Sequence, residues 1–299
     1  MMNPSPVKPQ RKPEWLRIKL PAVNDYSYIK EYLSAFGLHT ICESGKCPNI
    51  AECWESKTAT FMILGDRCTR NCSFCAVSKA HPLPVDLQEP QKLATVIKNI
   101  GLKHCVLTSV TRDDLDDGGA GLWHDTIVAI KEQNPGISIE ALVPDFNGNR
   151  QSIDTVIRSK PDILSHNLET VSRLTPAIRI KARYHLSLEL LKYVAASGIT
   201  AKSGIMLGLG ETPEEIYETM DDLLNADCSI ITIGQYLQPS KKNHPVEKYY
   251  SPAEFEQLKS VALEKGFVAA ESGPLVRSSY HAIRHLDARK NVQPITGKK

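Results

Sequence analysis

From Thr58 onward the chain repeats one pattern. Short β-branched or apolar runs at 58–64, 104–110, 137–143, 162–166, 200–207 and 229–237 alternate with helical patterns at about 91–100, 122–133, 149–159, 184–197, 213–225 and 252–265. Strands that alternate with helices imply a parallel sheet joined by right-handed crossovers. Thr212-Pro213-Glu214-Glu215 and Ser251-Pro252-Ala253-Glu254 each place an N-cap before a proline at the first helical position. Gly101, Gly136, Gly198 and Gly266 follow helix ends as stops. Six such units suit an open doubly wound sheet or a partial barrel, and periodicity does not separate them. The loops do favour one. Each strand is followed by a polar stretch with reactive side chains: 68–75, 111–114, 144–146, 167–170, 208–211 and 238–240. Parallel α/β folds place their sites at the carboxyl ends of strands. Six loops in a ring converge on one pocket, so the expected fold is α/β, a partial TIM-like (β/α)6 barrel with N- and C-terminal extensions. The expected divisions are 1–56, 57–266 and 267–299.

Composition narrows the function classes. Apolar residues are 41% and charged residues 23%, which argues against a disordered chain. No run approaches the roughly 18 continuous apolar residues of a membrane span. A net charge of +2 is too near neutral to mark a nucleic-acid binder. The first residues show neither an apolar signal core nor an Arg- and Ser-rich transit segment, so a cytoplasmic address is expected. A further helical pattern runs from about Asp25 to Phe36, stopped by Gly37.

Eight cysteines stand at 42, 47, 53, 68, 72, 75, 105 and 228, six of them between 42 and 75. Such crowding fits metal binding better than a disulfide scaffold. Cys68-x3-Cys72-x2-Cys75 lies in the loop after the first strand. Three thiolates there suit three irons of a cubane and leave the fourth iron open to a small chelating molecule. Zinc is the rival, although a structural zinc usually has two cysteine arms or a Cys and His pair. With Phe74 before the last cysteine, this loop resembles the radical S-adenosylmethionine superfamily. The resemblance implies a full or partial (β/α) barrel. It also implies S-adenosylmethionine chelated at the open iron and cleaved by one electron into methionine and a 5′-deoxyadenosyl radical.

Cys42-x4-Cys47-x5-Cys53 resembles the auxiliary-cluster motif of the lipoyl synthase family, and Arg277-Ser278-Ser279-Tyr280 resembles that family's C-terminal motif. The likeness extends from Arg11-Lys12-Pro13-Glu14-Trp15-Leu16 to those serines. It implies two 4Fe-4S clusters, with the first triplet and Ser279 as ligands of the auxiliary one and Ser278 as the nearby alternative. An oxygen ligand is harder and more exchangeable on iron than a thiolate, which suits a cluster that is dismantled. The implied reaction inserts two sulfurs, at carbons 6 and 8 of an octanoyl chain amide-linked to a lysine of a lipoyl carrier domain. Two S-adenosylmethionine are cleaved, and the sulfur comes from the auxiliary cluster. The implied partners are octanoylated lipoyl domains of 2-oxoacid dehydrogenase complexes or the glycine cleavage H protein. Ferredoxin or flavodoxin is implied as the electron donor.

Other residues carry two readings. Asn167 and Glu169 contact S-adenosylmethionine by resemblance, or form a helix-capping pair. Arg179 offers a guanidinium fork for a carboxylate, or is an exposed helix charge. The glycines of Lys202-Ser203-Gly204-Ile205-Met206-Leu207-Gly208-Leu209-Gly210-Glu211 allow close backbone approach to a ligand, without the spacing of a Rossmann fingerprint. Thr111-Arg112-Asp113-Asp114 lines the pocket, binds a cation or makes a structural turn. Cys105 and Cys228 read as buried small hydrophobes. His281 and His285 share a solvated helical face. Both ends are basic, with Lys8, Arg11, Lys12, Arg17 and Lys19 at one and Arg277, Arg284, Arg289, Lys290, Lys298 and Lys299 at the other. They are either docking sites for an acidic carrier or solvated tails.

Overall fold

The computed structural model describes residues 11–17, 31, 33–44, 47, 49–50, 53, 58–280 and 282. One sheet holds eight strands in chain order: β1 (His39–Thr40), β2 (Thr58–Ile63), β3 (His104–Ser109), β4 (Ser138–Leu142), β5 (Ile163–Ser165), β6 (Thr200–Leu207), β7 (Ile230–Gln235) and β8 (Ala269–Gly273). From β2 to β8 every neighbouring pair is parallel, and β1 joins β2 antiparallel. Strands β2–β7 are the six expected from periodicity. Two more strands flank them. β1 has only two residues, and β8 reads Ala-Ala-Glu-Ser-Gly, several of them poor strand formers. Neither carries a local strand signal. β8 exists because β7 offers it a partner edge, with Ile230 against Ala269 and Gly234 against Gly273.

Helices α1 (Ile41–Ser44), α2 (Glu89–Ile100), α3 (Ala120–Gln133), α4 (Arg150–Arg158), α5 (Thr175–Ile178), α6 (Tyr184–Ala196), α7 (Pro213–Asn225) and α8 (Pro252–Lys265) complete the fold. Six of them match the expected crossover helices. Both predicted N-caps are full capping boxes, Thr212 with Glu215 and Ser251 with Glu254, each worth about 0.5–2 kcal/mol over alanine. Each crossover helix buries a stripe at helical spacing. In α2 it is Leu93, Ala94, Val96 and Ile97. These stripes meet the outward strand residues in one main core, which includes Leu107, Trp123, Ile127, Ile139 and Leu164. Cys105 and Cys228 are both fully buried in that core, as expected.

The inward faces build the site. Met62, Thr108, Leu142, Gly204, Met206, Thr232 and Gly234 face a cavity at the carboxyl ends of the strands. Side chains alternate between faces along a strand. Glu140 and Lys202, two residues before Leu142 and Gly204, therefore form the next layer down. The end of the helix expected at 25–36 is helical at residues 31 and 33–35. Most of the predicted basic tails, with His281 and His285, lie outside the described residues. No helix among the described residues is long and apolar enough to cross a membrane.

Candidate active site

The cavity has a volume of about 530 Å³. Its wall draws on the loops after five of the six central strands, and on both extensions through Lys12, Ile41, Val276, Arg277 and Ser278; β6 contributes Gly204, Ile205 and Met206 from the strand itself, and the expected 208–211 loop does not line it. Cys68, Cys72, Phe74 and Cys75 all line it. The Cys68 sulfur accepts backbone N–H groups from Arg70 and Thr111, each at 3.4 Å. Burial pushes the Cys72 thiol up, against the field of Arg179. Burial likewise raises Cys75 to about 11, although the Val77 N–H opposes it. Thiols must lose their protons to bind metal, so burial alone works against ionisation there and a cationic partner favours it.

Arg70, between the first two cysteines, locks this loop in place. It is buried, and its guanidinium makes paired hydrogen bonds to Asp113 (3.0 and 3.0 Å) and to Asp145 (2.7 and 2.6 Å), with a further one to Asn147 at 2.8 Å. Burial disfavours the Asp145 carboxylate, but the Arg70 contact prevails and holds it at about 2. The cysteine loop is thereby tied to the ends of β3 and β4. The same contacts decide the reading of residues 111–114. Asp113 serves Arg70, Asp114 is held by Arg112 at 2.9 Å, and Arg112 also donates to the Leu64 carbonyl. The segment is a structural turn whose carboxylates are engaged with arginines, and Thr111 at its start lines the cavity.

Asn167, Glu169 and Arg179 line the same cavity, and the Ser73 N–H donates to Ile178 O at 2.9 Å next to Arg179. Asn167 and Glu169 do not cap a helix, and Arg179, the C-cap of α5, is buried rather than exposed. Glu169 has φ +66, a left-handed conformation that costs a non-glycine residue on the order of 1–3 kcal/mol. Two hydrogen bonds hold it there: its N–H donates to Gly204 O, and its carbonyl accepts from Met206 N–H, both at 2.9 Å. Burial raises the Glu169 carboxyl, with Arg179 and Asn167 opposing. Asn167 Nδ2 donates to Glu169 at 3.1 Å, which leaves its Oδ1 buried without a partner. A buried amide oxygen with no donor calls for one from a ligand. Gly204 makes the room. A Cβ there would lie 2.5 Å from Thr232 Oγ1 and 3.0 Å from Asn167 Oδ1.

Behind this wall runs a chain of hydrogen bonds that the sequence did not announce. Arg179 donates to Leu168 O (3.0 Å) and to Ser187 Oγ (3.3 Å). Ser187 Oγ lies 2.9 Å from His166 Nε2, and His166 Nδ1 lies 2.8 Å from Val143 O. Burial, reinforced by Arg179, lowers His166 to about 4, so the ring is neutral. The carbonyl accepts only, so Nδ1 carries the proton and Ser187 donates to Nε2. This relay fixes the direction of Arg179.

Cys42, Cys47 and Cys53, the first triplet, are not among the residues that line the cavity. Cys42 is buried, and Cys47 and Cys53 are half-buried. A hydrogen bond between the two sulfurs holds the proton on Cys42, pushing it well above the usual thiol range with help from burial. The same contact lowers Cys47 to about 7, against burial and with aid from the Asn49 N–H and Arg277. Asn49 is buried and donates through Nδ2 to Leu275 O at 2.6 Å, which joins the two extensions directly. Arg277 lines the cavity and lies within electrostatic reach of Cys47. It is therefore part of the site wall and not of a solvated basic tail. Ser278 is on the cavity wall; Ser279, the expected ligand, is half-buried next to it in the chain.

Gly234 makes this arrangement possible. A Cβ at Gly234 would lie 2.2 Å from Val276 O and 3.1 Å from Val276 C, so only glycine lets the 276–278 segment pass over β7. Glycine in a strand interior marks close backbone approach, a signal available in the sequence. Gly234→Ala is expected to cost about 1–3 kcal/mol by overpacking and to speed hydrogen exchange of residues 275–280. Unchanged exchange there would refute this account.

Among the described residues, no three His, Cys, Asp or Glu side chains converge where one metal ion could sit. A cubane instead spreads its thiolates over separate irons. The second triplet fits that need: three thiols in one locked loop, N–H donors on Cys68, and an orphan amide oxygen facing the same cavity.

The family model described as Radical SAM superfamily matches residues 62–223. Among solved structures, methylornithine synthase is similar with a TM-score of 0.55 at 13% identity, covering 82% of this chain and 71% of that one. A maturase of the FeFe-hydrogenase gives 0.56 at 13% identity, covering 88% and 68%. These neighbours share the fold. Fold, cavity and family match together define a radical S-adenosylmethionine enzyme. More narrowly, the chain belongs to the lipoyl synthase family. It is 54% identical over 276 residues to the lipoyl synthase of Bacteroides fragilis, covering 92% of this chain and 96% of the relative. It is 52% identical to the mitochondrial lipoyl synthase of Nematostella vectensis, covering 92% and 95%.

Proposed function

We propose that this enzyme inserts two sulfur atoms, at carbons 6 and 8, into an octanoyl chain amide-linked to a lysine of a lipoyl carrier domain. The observation that carries this reading is a single cavity with Cys68, Cys72 and Cys75 on its wall and, on the same wall, Ser278 and Arg277, the latter within electrostatic reach of Cys47 of the first triplet. A substrate carbon in that cavity is within reach of both centres. When bound, one 4Fe-4S cluster supplies the electron that cleaves S-adenosylmethionine, and the auxiliary one supplies sulfur.

The protein's own residues supply position and charge. Cys68, Cys72 and Cys75 hold the first cluster, and Arg70 keeps their loop fixed. Glu169 and Asn167 accept the ammonium end of S-adenosylmethionine, Arg179 faces its carboxylate, and Phe74 packs along it. Cys42, Cys47 and Cys53 hold the auxiliary cluster with an oxygen from Ser279, or from Ser278 as the alternative. The apolar wall of Met62, Leu142 and Ile205 accommodates an alkyl chain and keeps water from it. The substrates are octanoylated domains of 2-oxoacid dehydrogenase complexes or the glycine cleavage H protein, and ferredoxin or flavodoxin delivers the electrons. Residues 57–266 form the catalytic core, with extensions at 1–56 and 267–299. The setting is the cytoplasm.

Anaerobic incubation with an octanoyl-lysine peptide, S-adenosylmethionine and dithionite should yield a product carrying two added sulfurs by mass spectrometry. Alanine at Cys42, Cys47 or Cys53 should leave 5′-deoxyadenosine formation but no sulfur in the peptide. Lipoyl product from those variants would show that the first triplet is not the sulfur source.

A further inference from the structure

The segment from Ser240 to Lys248 does not line the cavity, yet it grips the cluster loop. Asn243 Nδ2 donates to both Ser73 O and Cys75 O, each at 3.1 Å. The His244 backbone N–H donates to Ser73 O at 3.0 Å. Ser240 Oγ donates to Asn243 Oδ1 at 2.7 Å. Every polar atom of the amide is thus engaged, and its orientation is fixed by partners of the right kind. The loop is itself anchored. Tyr236 Oη donates to His244 O at 2.7 Å, and the Glu247 N–H donates to Gly208 O at 2.9 Å. Its base is therefore joined to the ends of β6 and β7.

The two carbonyls that Asn243 holds flank one residue, Phe74. The Phe74 side chain packs with Ile178, Leu209 and Tyr236 and lines the cavity. Fixing the carbonyls on both sides sets the backbone of Phe74 and the angle of its ring. We infer that Asn243 is a positioning residue for S-adenosylmethionine, acting by holding the Ser73–Cys75 backbone so that Phe74 forms its binding wall. This rests on the proposal that Cys68, Cys72 and Cys75 carry the cluster at which S-adenosylmethionine binds.

The consequences differ from those of a ligand. Asn243→Ala removes both donors and weakens S-adenosylmethionine binding about tenfold, as loss of two modest hydrogen bonds predicts. Asn243→Asp sets a carboxylate against two carbonyl oxygens and weakens it further. Ser240→Ala, an exposed change that only frees the amide to rotate, has a smaller effect of about twofold to threefold. Iron content stays at the unsubstituted value in all three. The KM for S-adenosylmethionine in 5′-deoxyadenosine formation rises in the same order, while kcat at saturation stays within about twofold.

The test measures iron, S-adenosylmethionine affinity by equilibrium titration, and the change in the reduced cluster's electron paramagnetic resonance spectrum on adding S-adenosylmethionine. Unaltered affinity in both Asn243 variants overturns the inference. So does loss of iron in step with affinity, because the residue would then only hold the loop's fold. An unsubstituted protein that gives no spectral response to S-adenosylmethionine would instead defeat the cluster assignment on which the inference rests.

Discussion

Cys72→Ala abolishes 5′-deoxyadenosine formation and lowers bound iron by about half, from about eight to about four per chain. Cys68→Ala and Cys75→Ala behave alike. The expectation is this sharp because, among the described residues, no other cysteine lines the cavity. The loop is held by Arg70 through paired bonds to Asp113 and Asp145, so it does not shift to recruit a distant donor. Cys105 and Cys228 are fully buried in the main core and do not reach the cavity. Within the loop, Arg70 and Ser73 are committed to other partners. Iron and sulfide analysis with chromatography of deoxyadenosine measures both effects. Deoxyadenosine at the unsubstituted rate from Cys72→Ala would refute the assignment of this triplet.

The second large effect is on stability, and it lies below the cavity. Lys202 and Glu140 are both fully buried and paired at 2.8 Å, and Ser165 Oγ donates to the other Glu140 oxygen at 2.7 Å. Removing one member leaves the other charge buried and alone, which costs about 3–5 kcal/mol. Lys202→Met is expected to lose that amount in anaerobic urea unfolding, and Glu140→Met a similar amount. The double variant Glu140→Met with Lys202→Met should recover most of it, because two apolar side chains leave no unpaired charge. A double variant no better than either single one would show that the layer is not a simple ion pair. His104, whose Nε2 is buried without a partner, lies close enough to feel both charges, and burial holds it near 4. It is neutral and adds no third charge to the layer.

Much of the architecture was legible in the residues. Strand and helix periods are local, and the turn chemistry at Thr212 and Ser251 acts within four residues. Both are recorded in order along the chain. The two flanking strands escaped notice because their signals are not local. The cysteine triplets were legible as chemistry because three thiols at short spacing share one loop. The roles of Arg70, His166, Asn49 and Asn243 were not legible, since each acts on a partner far away in sequence. Polar residues at strand ends have two readings until their partners are known. For Asp113 and Asp114 those partners turned out to be arginines, and for Asn167 one oxygen was left free.

By itself, then, the sequence determined six parallel strand–helix units and two cysteine triplets suited to iron–sulfur chemistry. Periodicity and spacing are short-range properties, and they are sufficient for that. Only the tertiary structure decided that the two extensions meet. Asn49 binds the carbonyl of Leu275 across 226 residues of chain, and Gly234 leaves the space through which residues 276–278 cross β7. A hydrogen bond between distant residues and a missing Cβ become constraints only after the sheet has closed enough to bring them together.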